Sequence, residues 1–331
     1  MAIIRDSEKI ALAQRIILLR AKPGKVDPLF LFYALQSEFG QGELQARATG
    51  TTVSGIKQSE LRKVRLPMFA LPIQQRIGRI LSAYDELMQI NRQRIRILED
   101  MSKTLYREWF IEFRFPRNEK IQRVTSSIGN IPKGWEVKCV PECVSINPRV
   151  VIPRDGEKPF VPMGCLANDS MLITDIECRA GNSGAKFQNG DTLFARITPC
   201  LENGKTGFVQ FLSDAQSVAF GSTEFIVLRS NTLTPEFVYL LARSEAFRGV
   251  AIKSMTGASG RQRVQERCFD DFKIAHPPRA LLDRFSAIVA PSFRMIQRLH
   301  LQIQNLRRTR DLLLPRLLSG QVEIKTEEVR A

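Results

Sequence analysis

The sequence repeats itself at a spacing of about 208 residues, and each copy contains a long stretch with helical periodicity. The first stretch has apolar side chains three or four residues apart, at Ile73, Ile77, Ile80, Tyr84, Leu87, Leu98, Met101 and Leu105. The equivalent positions of the second stretch are Leu281, Phe285, Ile288, Ser292, Met295, Leu306, Thr309 and Leu313. An internal repeat of this kind predicts two copies of one structural unit, each with a long amphipathic helix.

The repeat extends upstream of the helical stretches. Seven residues of the first half recur in the second half about 207 positions later. The two sets are Pro28, Phe30, Ser37, Glu38, Gly42, Thr49 and Gly50, and Pro235, Phe237, Ser244, Glu245, Gly249, Thr256 and Gly257. Residues 133–207 have no counterpart in the first half. We therefore expect a complete second domain and a partial first domain, which reflects a start codon assigned too late, a truncated gene, or a chain of one and a half units.

The two helical stretches predict a pair of helices packed as an antiparallel coiled coil. We expect the first from about Pro72 to Phe110 and the second over about 280–314, kinked at Pro291 and ended by Pro315. Each stripe alone would leave a long apolar seam uncovered, and a partner of matched length lies in the same chain. A single core helix with a wide apolar face is the alternative interpretation.

The remaining segments predict an α+β protein in which mixed α/β domains are separated by the long helices. Residues 15–19 form a strand-like run and residues 29–39 a helical one, whereas residues 133–279 contain many short β-rich runs with tight-turn Asn-Gly pairs. The expected divisions are a partial domain at 1–72, a helix at 73–114, a linker at 115–132, a complete domain at 133–279, a helix at 280–318 and a tail at 319–331.

The charge of the chain favours a polyanionic partner, with nucleic acid as the first candidate. The formal net charge is +15 and the isoelectric point is about 9.9. Residues 133–278 hold 17 basic against 16 acidic residues, so the positive charge there is focused in one segment, 243–267. Its basic residues are Arg243, Arg248, Lys253, Arg261, Arg263 and Arg267.

The sequence lacks the motifs of several enzyme classes. It has no phosphate-binding loop and no glycine-rich cofactor loop, and His276-Pro277-Pro278-Arg279 lacks both ends of the tetrapeptide of amino-methyltransferases. The six cysteines show no paired spacing, so we expect reduced thiols, no metal and a cytoplasmic location. No apolar run reaches the ~20 residues of a membrane span. We expect no catalytic residue and no cofactor.

Several motifs resemble those of the specificity subunits of type I restriction-modification systems. Residues 190–205, GDTLFARITPCLENGK, are similar to the central motif of their target recognition domains. Residues 131–135 are similar to the start of such a domain, residues 221–225 to a later strand, and residues 314–320 to the closing signature. The resemblance covers essentially the whole chain. It implies a non-catalytic subunit that reads a bipartite site on double-stranded DNA and binds methyltransferase subunits and, through them, restriction subunits.

The expected DNA contacts are basic or polar residues beside turns. Arg196 and Lys205 lie within the central motif and suit phosphate or base-edge contacts, although solvated strand-end charges are an equally good interpretation. The glycine-rich loop at 256–263 permits close backbone approach, and its side chains are able to read guanine and adenine. From this region we predict contacts by Lys253, Ser259, Arg261, Gln262 and Arg263. Self-association of an incomplete first domain is a further expectation. A coiled-coil adaptor without a DNA role and an autonomous DNA-modification enzyme remain the alternatives.

Overall fold

The computed structural model describes residues 3–4, 11, 13, 16–50, 55–116, 122–214, 217–258 and 260–322. Residue 15, the first of the strand-like run predicted above, and Ser259 lie outside these residues. The chain forms two compact units, the first from residues 1–92 and 301–331 and the second from residues 93–300. Both long helices contribute residues to both units. The α+β fold class expected from the sequence is confirmed.

The described helices are as follows in chain order. They are α1 (Pro28–Gln36), α2 (Glu38–Gln45), α3 (Gln58–Leu61), α4 (Leu71–Tyr106), α5 (Val140–Cys143), α6 (Pro235–Arg243), α7 (Glu245–Lys253) and α8 (Arg279–Leu318). A π-helical turn, Arg107–Ile111, follows α4 directly. Two short 3-10 helices are Met163–Cys165 and Glu266–Phe269.

The described strands all belong to the second unit. They are β1 (Arg123–Ser126), β2 (Gly129–Pro132), β3 (Glu136–Cys139), β4 (Val144–Ile146), β5 (Lys158–Val161), β6 (Glu177–Arg179), β7 (Ala185–Gln188), β8 (Thr192–Ala195), β9 (Thr206–Phe208), β10 (Val218–Gly221), β11 (Phe225–Ser230) and β12 (Lys273–His276). Two four-stranded sheets have the orders β4-β11-β8-β9 and β6-β5-β10-β7, and two strand pairs are β1-β2 and β12-β3. The core between the larger sheets includes Phe187, Leu193 and Phe225.

In the first unit, α4 and α8 run antiparallel, as predicted. The N-terminal turns of α4 place Ile77 and Leu81 in one core cluster with Leu317 at the end of α8. Further along α4, Asp85 forms an ion pair with Arg310. Asn91 Nδ2 then donates to Gln302 Oε1 at 3.4 Å. The partner number on α8 falls as the number on α4 rises, which is the signature of antiparallel packing.

The residues buried between these helices and their neighbours are not the same as the apolar residues that the sequence repeat predicted to be buried. Leu87, Met101 and Ile288 are 43%, 61% and 52% exposed, and Met295 is also exposed. The buried positions of α4 are Gln74, Ile77, Gly78, Leu81, Ser82, Met88, Asn91, Ile95, Glu99, Ser102 and Tyr106. An α-helix drifts by ~20° per heptad against a strict 3.5-residue repeat, so a stripe that starts in the seam leaves it within a few turns.

Two further expectations about local structure were wrong. Helix α8 runs through Pro315 to Leu318, because Leu317 and Leu318 are buried against Phe30 and other residues of the first unit. Burial of two leucines outweighs the single backbone donor that a proline removes in the last turn. Residues 16–19 form no strand and are exposed, because no other described segment pairs with them.

Candidate nucleic-acid interface

Three segments of the second unit meet beside the end of β8. They are residues 196–198 after β8, residues 222–224 between β10 and β11, and the arginine loop, which we define as residues 256–263. Thr256 and Arg263 close this loop with two backbone hydrogen bonds of 3.0 and 2.9 Å. Thr198 N donates to Gln262 O at 3.0 Å, and Arg196 N donates to Glu224 O at 3.0 Å. The structure therefore brings Arg196 and the arginine loop together, although about 60 residues separate them in sequence.

Glu224 is the electrostatic centre of this cluster. Arg263 donates to it from Nε at 2.9 Å and from Nη2 at 2.7 Å. Arg196 Nε lies 3.6 Å from Glu224 Oε2, and Arg196 Nη1 lies 3.9 Å from Glu266 Oε2. The hydrogen bonds from Arg263 hold the pKa of Glu224 below its usual value and, in return, raise the pKa of the Arg263 guanidinium. Glu224, a carboxylate that sequence reasoning missed, therefore fixes the orientation of Arg263 by hydrogen bonds and pairs with Arg196 at a longer distance.

Arg261 projects from the tip of the arginine loop and is exposed. Its main-chain N–H donates to Ala258 O at 3.0 Å, which turns the backbone back toward Arg263. Gly257 and Gly260 have φ angles of +123° and +79°, which L side chains rarely adopt, so the tight turn depends on glycine. Gln262 is half-buried beside this turn. Ser259 is outside the described residues.

The other two predicted contacts occupy different settings. Lys205 is half-buried, and its Nζ donates to Met163 O at 3.1 Å. Lys253 is the exposed last residue of α7. A role for either residue in DNA binding stays a prediction.

Two arginines of the expected basic patch are used inside the fold. Arg243 Nη1 donates to Gly204 O at 2.6 Å and to Asn168 O at 3.0 Å. Arg248 Nη2 donates to the carbonyls of Leu201 and Glu202 at 3.2 and 3.0 Å. Burial lowers the pKa of Arg248, with a further contribution from the neighbouring Arg243. These side chains hold the turn at 201–204, and the outward-facing patch is smaller than the sequence indicates.

Asp191 of the central motif forms an ion pair with Arg229 of β11. Asp191 is 1% exposed and accepts from Arg229 Nε at 2.7 Å and Nη2 at 2.6 Å. It also accepts from Gln188 N at 2.8 Å. A carboxylate at this position ties the start of β8 to β11, so this aspartate has a structural role in the motif.

Comparison with known proteins agrees with the motifs described above. Residues 1–100 match the family model described as type I restriction modification DNA specificity domain. The chain is 24% identical over 308 residues to the MjaIX specificity subunit of Methanocaldococcus jannaschii, an alignment that covers 89% of this chain and 69% of that subunit. It is 32% identical over 155 residues to the EcoEI specificity subunit of Escherichia coli, which is 45% of this chain but only 26% of that relative.

A solved structure has the same fold. The S subunit of a type I restriction-modification system from M. genitalium superposes with a TM-score of 0.56 at 15% sequence identity, covering 92% of this chain and 75% of that one. The two relatives named above are both specificity subunits of type I restriction enzymes. The chain is therefore similar to type I restriction-modification specificity subunits, in residues 1–100 by the family model and over most of its length by the MjaIX relative.

Proposed function

We propose that this chain selects the DNA sequence on which a type I restriction-modification complex acts, and that it catalyses no reaction itself. The observation that carries the proposal is the arginine loop, a glycine-dependent hairpin that presents an exposed arginine beside an ordered cluster of charged side chains. The similarity to specificity subunits supports the same role. The six free cysteines favour action in the cytoplasm, where thiols stay reduced. Among the described residues, no helix is both long enough and apolar enough to cross a membrane.

We assign two roles to the side chains of the site: contact with DNA bases, and contact with the DNA backbone. Arg261 is the proposed base-reading residue, because an exposed guanidinium at the tip of a narrow hairpin fits a groove and pairs bidentately with guanine. Gln262 and Ser259 contact base edges or phosphates beside it. Arg196 and Arg263 present their remaining donors to the DNA backbone while Glu224 fixes them, and Lys205 and Lys253 add positive charge at the margin.

The long helices are the proposed docking sites for methyltransferase subunits. In the first unit Leu87, Ile90, Leu301 and Leu312 are exposed, and in the second unit Ile97, Met101, Ile288 and Met295 are exposed. Exposed aliphatic residues at helical spacing on both helices favour burial by a protein partner. Restriction subunits join the assembly through the methyltransferase subunits.

Self-association is a separate proposal, supported by a different surface. Four consecutive aliphatic residues, Ile16 to Leu19, are exposed in a segment without regular structure. Two such segments from two chains are able to cover each other by strand pairing, which would bring two complete recognition domains into one assembly. A methylated site with two related halves would support this arrangement, and two unrelated, well-defined halves would oppose it.

A salt-titrated binding assay with duplex DNA tests the proposed function. The full chain should bind duplexes selected from a random-sequence library, and its affinity should fall steeply as salt rises, because phosphate neutralisation releases counterions. Arg261→Ala should cost ~1–3 kcal/mol on the selected sequence and relax preference at one base pair. An adaptor without a DNA role would show neither salt-dependent binding nor selection of a sequence.

A further inference from the structure

The second unit contains an open cleft next to the arginine loop. It has a volume of about 690 Å³ and lies between the β6–β7 connection, residues 180–184, and the β10–β11 connection, residues 222–224. Phe160 and Phe220 lie at its base with ring centroids 5.0 Å apart in an edge-to-face arrangement. The β10–β11 connection ends at Glu224, so the cleft and the charged cluster share one loop.

The lining of the cleft carries one charge and several neutral donors. Among the described lining residues, Arg179 is the charged one, and its guanidinium carbon lies 4.0 Å from the centre of the Phe160 ring. Arg179 Nε also donates to Glu177 Oε2 at 2.8 Å, yet the arginine side chain remains 51% exposed. Stacking and ion pairing fix the guanidinium plane in advance. The neutral donors of the rim are Asn182, Ser183, Ser222 and Thr223.

We infer that this cleft binds the sugar-phosphate backbone of the DNA strand that leaves the arginine loop. The inference rests on the proposed function. A cation surrounded by hydroxyl and amide donors is the set that proteins use for phosphate oxygens. Stacked nucleobases need an open aromatic face, and here Arg179 covers a face of Phe160 while Phe220 is buried. A DNA strand that follows the shared loop from Glu224 passes Thr223 and Ser222 and then reaches Arg179.

The cleft therefore adds a contact that is independent of base sequence. Arg179→Ala should weaken binding of every duplex alike, by about tenfold, which is the effect expected for one hydrogen-bonded contact to a charged group. The dependence of log affinity on log salt should become shallower by about one unit. The base preference of the chain should not change. Arg179→Lys should recover part of the affinity, because it keeps the charge and loses the planar fork.

The experiment measures the affinity of full-length variants for one library-selected duplex and for one unselected duplex at several salt concentrations. Arg284→Ala is the matched control, because it removes an exposed arginine from α8 outside the cleft. Thr223→Glu is the second cleft variant, since it places a negative charge on an exposed rim residue with little effect on folding. It should weaken both duplexes alike.

The outcomes separate this inference from the proposed function. If the unaltered chain binds DNA but Arg179→Ala and Thr223→Glu match Arg284→Ala in affinity and salt dependence, the cleft is not a DNA contact. If Arg179→Ala changes base preference, the cleft reads bases and the inference is overturned. Failure of the unaltered chain to bind either duplex would refute the proposed function itself.

Discussion

At the scale of single residues, the interface depends on carboxylates that orient arginines. Glu224 fixes Arg263 by hydrogen bonds and pairs with Arg196 at the surface, and Asp191 fixes Arg229 in the interior. The two carboxylates differ in exposure, since Asp191 is buried and Glu224 is half-buried. This difference predicts different consequences when each is neutralised.

Asp191→Asn should destabilise the second unit by about 3 kcal/mol, because it leaves the Arg229 guanidinium without its charged partner in a largely buried setting. The measurement is the free energy of unfolding in urea. Asp283→Asn is the control, since the ion pair of Asp283 with Arg279 is exposed and such pairs contribute less than ~1 kcal/mol. Equal losses in the two variants would contradict the role assigned to Asp191.

Glu224→Gln should cost no more than ~1 kcal/mol of stability because the cluster lies at the surface. Its effect should appear as weaker binding of every duplex alike, since Arg263 and Arg196, the proposed contacts to the DNA backbone, lose the carboxylate with which they pair. The lowered pKa of Glu224 means that its stabilising contribution is complete above the unfolded pKa near 4.5 and is lost as the pH falls through the lower folded-state value. The pH dependence of unfolding below pH 4.5 should therefore be weaker in Glu224→Gln. An unchanged affinity for DNA would show that Glu224 takes no part in DNA binding.

At the scale of the elements, the sequence predicts that the two long helices exist. It does not predict which of their apolar side chains are buried. Each helix has apolar residues at several angular positions, so a four-three spacing alone does not decide which of them is buried. Burial is decided by contacts with α1 and the β-rich core, as for Ile77 beside Phe30. Pro315 shows the same limit, because tertiary packing extends α8 past a residue that usually ends a helix.

Leu81→Ala and Leu87→Ala form a matched pair on one helix. Leu81 is fully buried, so its truncation should cost about 2–5 kcal/mol of unfolding free energy, whereas Leu87 is 43% exposed and its truncation should cost little. Leu87→Ala, combined with Ile90→Ala, should instead weaken co-purification with methyltransferase subunits. A Leu81→Ala chain of unchanged stability would contradict the packing of Leu81 in the core. Undiminished co-purification of the Leu87→Ala, Ile90→Ala chain would contradict the proposed docking surface.

Substitution of Ile288 provides a related test on α8. Since Ile288 is 52% exposed, a lysine there should leave the melting temperature nearly unchanged. Leu282 lies six residues earlier on α8 and is fully buried, so Leu282→Lys should unfold the second unit. Thermal melting of the two variants distinguishes this seam from the stripe expected from the sequence.

At the scale of the whole molecule, the sequence was sufficient for the fold class and for the similarity to specificity subunits, because the repeat and the motifs can be read directly from the order of residues. The sequence was less informative about which side chains form the candidate site. The association of Glu224 with Arg263, and of Arg243 with the turn at 201–204, joins residues about 40 positions apart through tertiary contacts. Sequence therefore located the arginine loop but did not show which basic side chains the fold itself uses.

Methylation-site mapping tests the central claim most directly. Cells would express this chain with its methyltransferase subunits, and every methylated position would be compared between the unaltered chain, Arg261→Ala and the control Arg284→Ala. We predict one defined sequence for the unaltered chain and for Arg284→Ala, and relaxed preference at one base pair for Arg261→Ala, because the arginine loop reads that pair. An identical methylated sequence in all three, at equal protein levels, would contradict the assignment of the arginine loop as the reader of DNA.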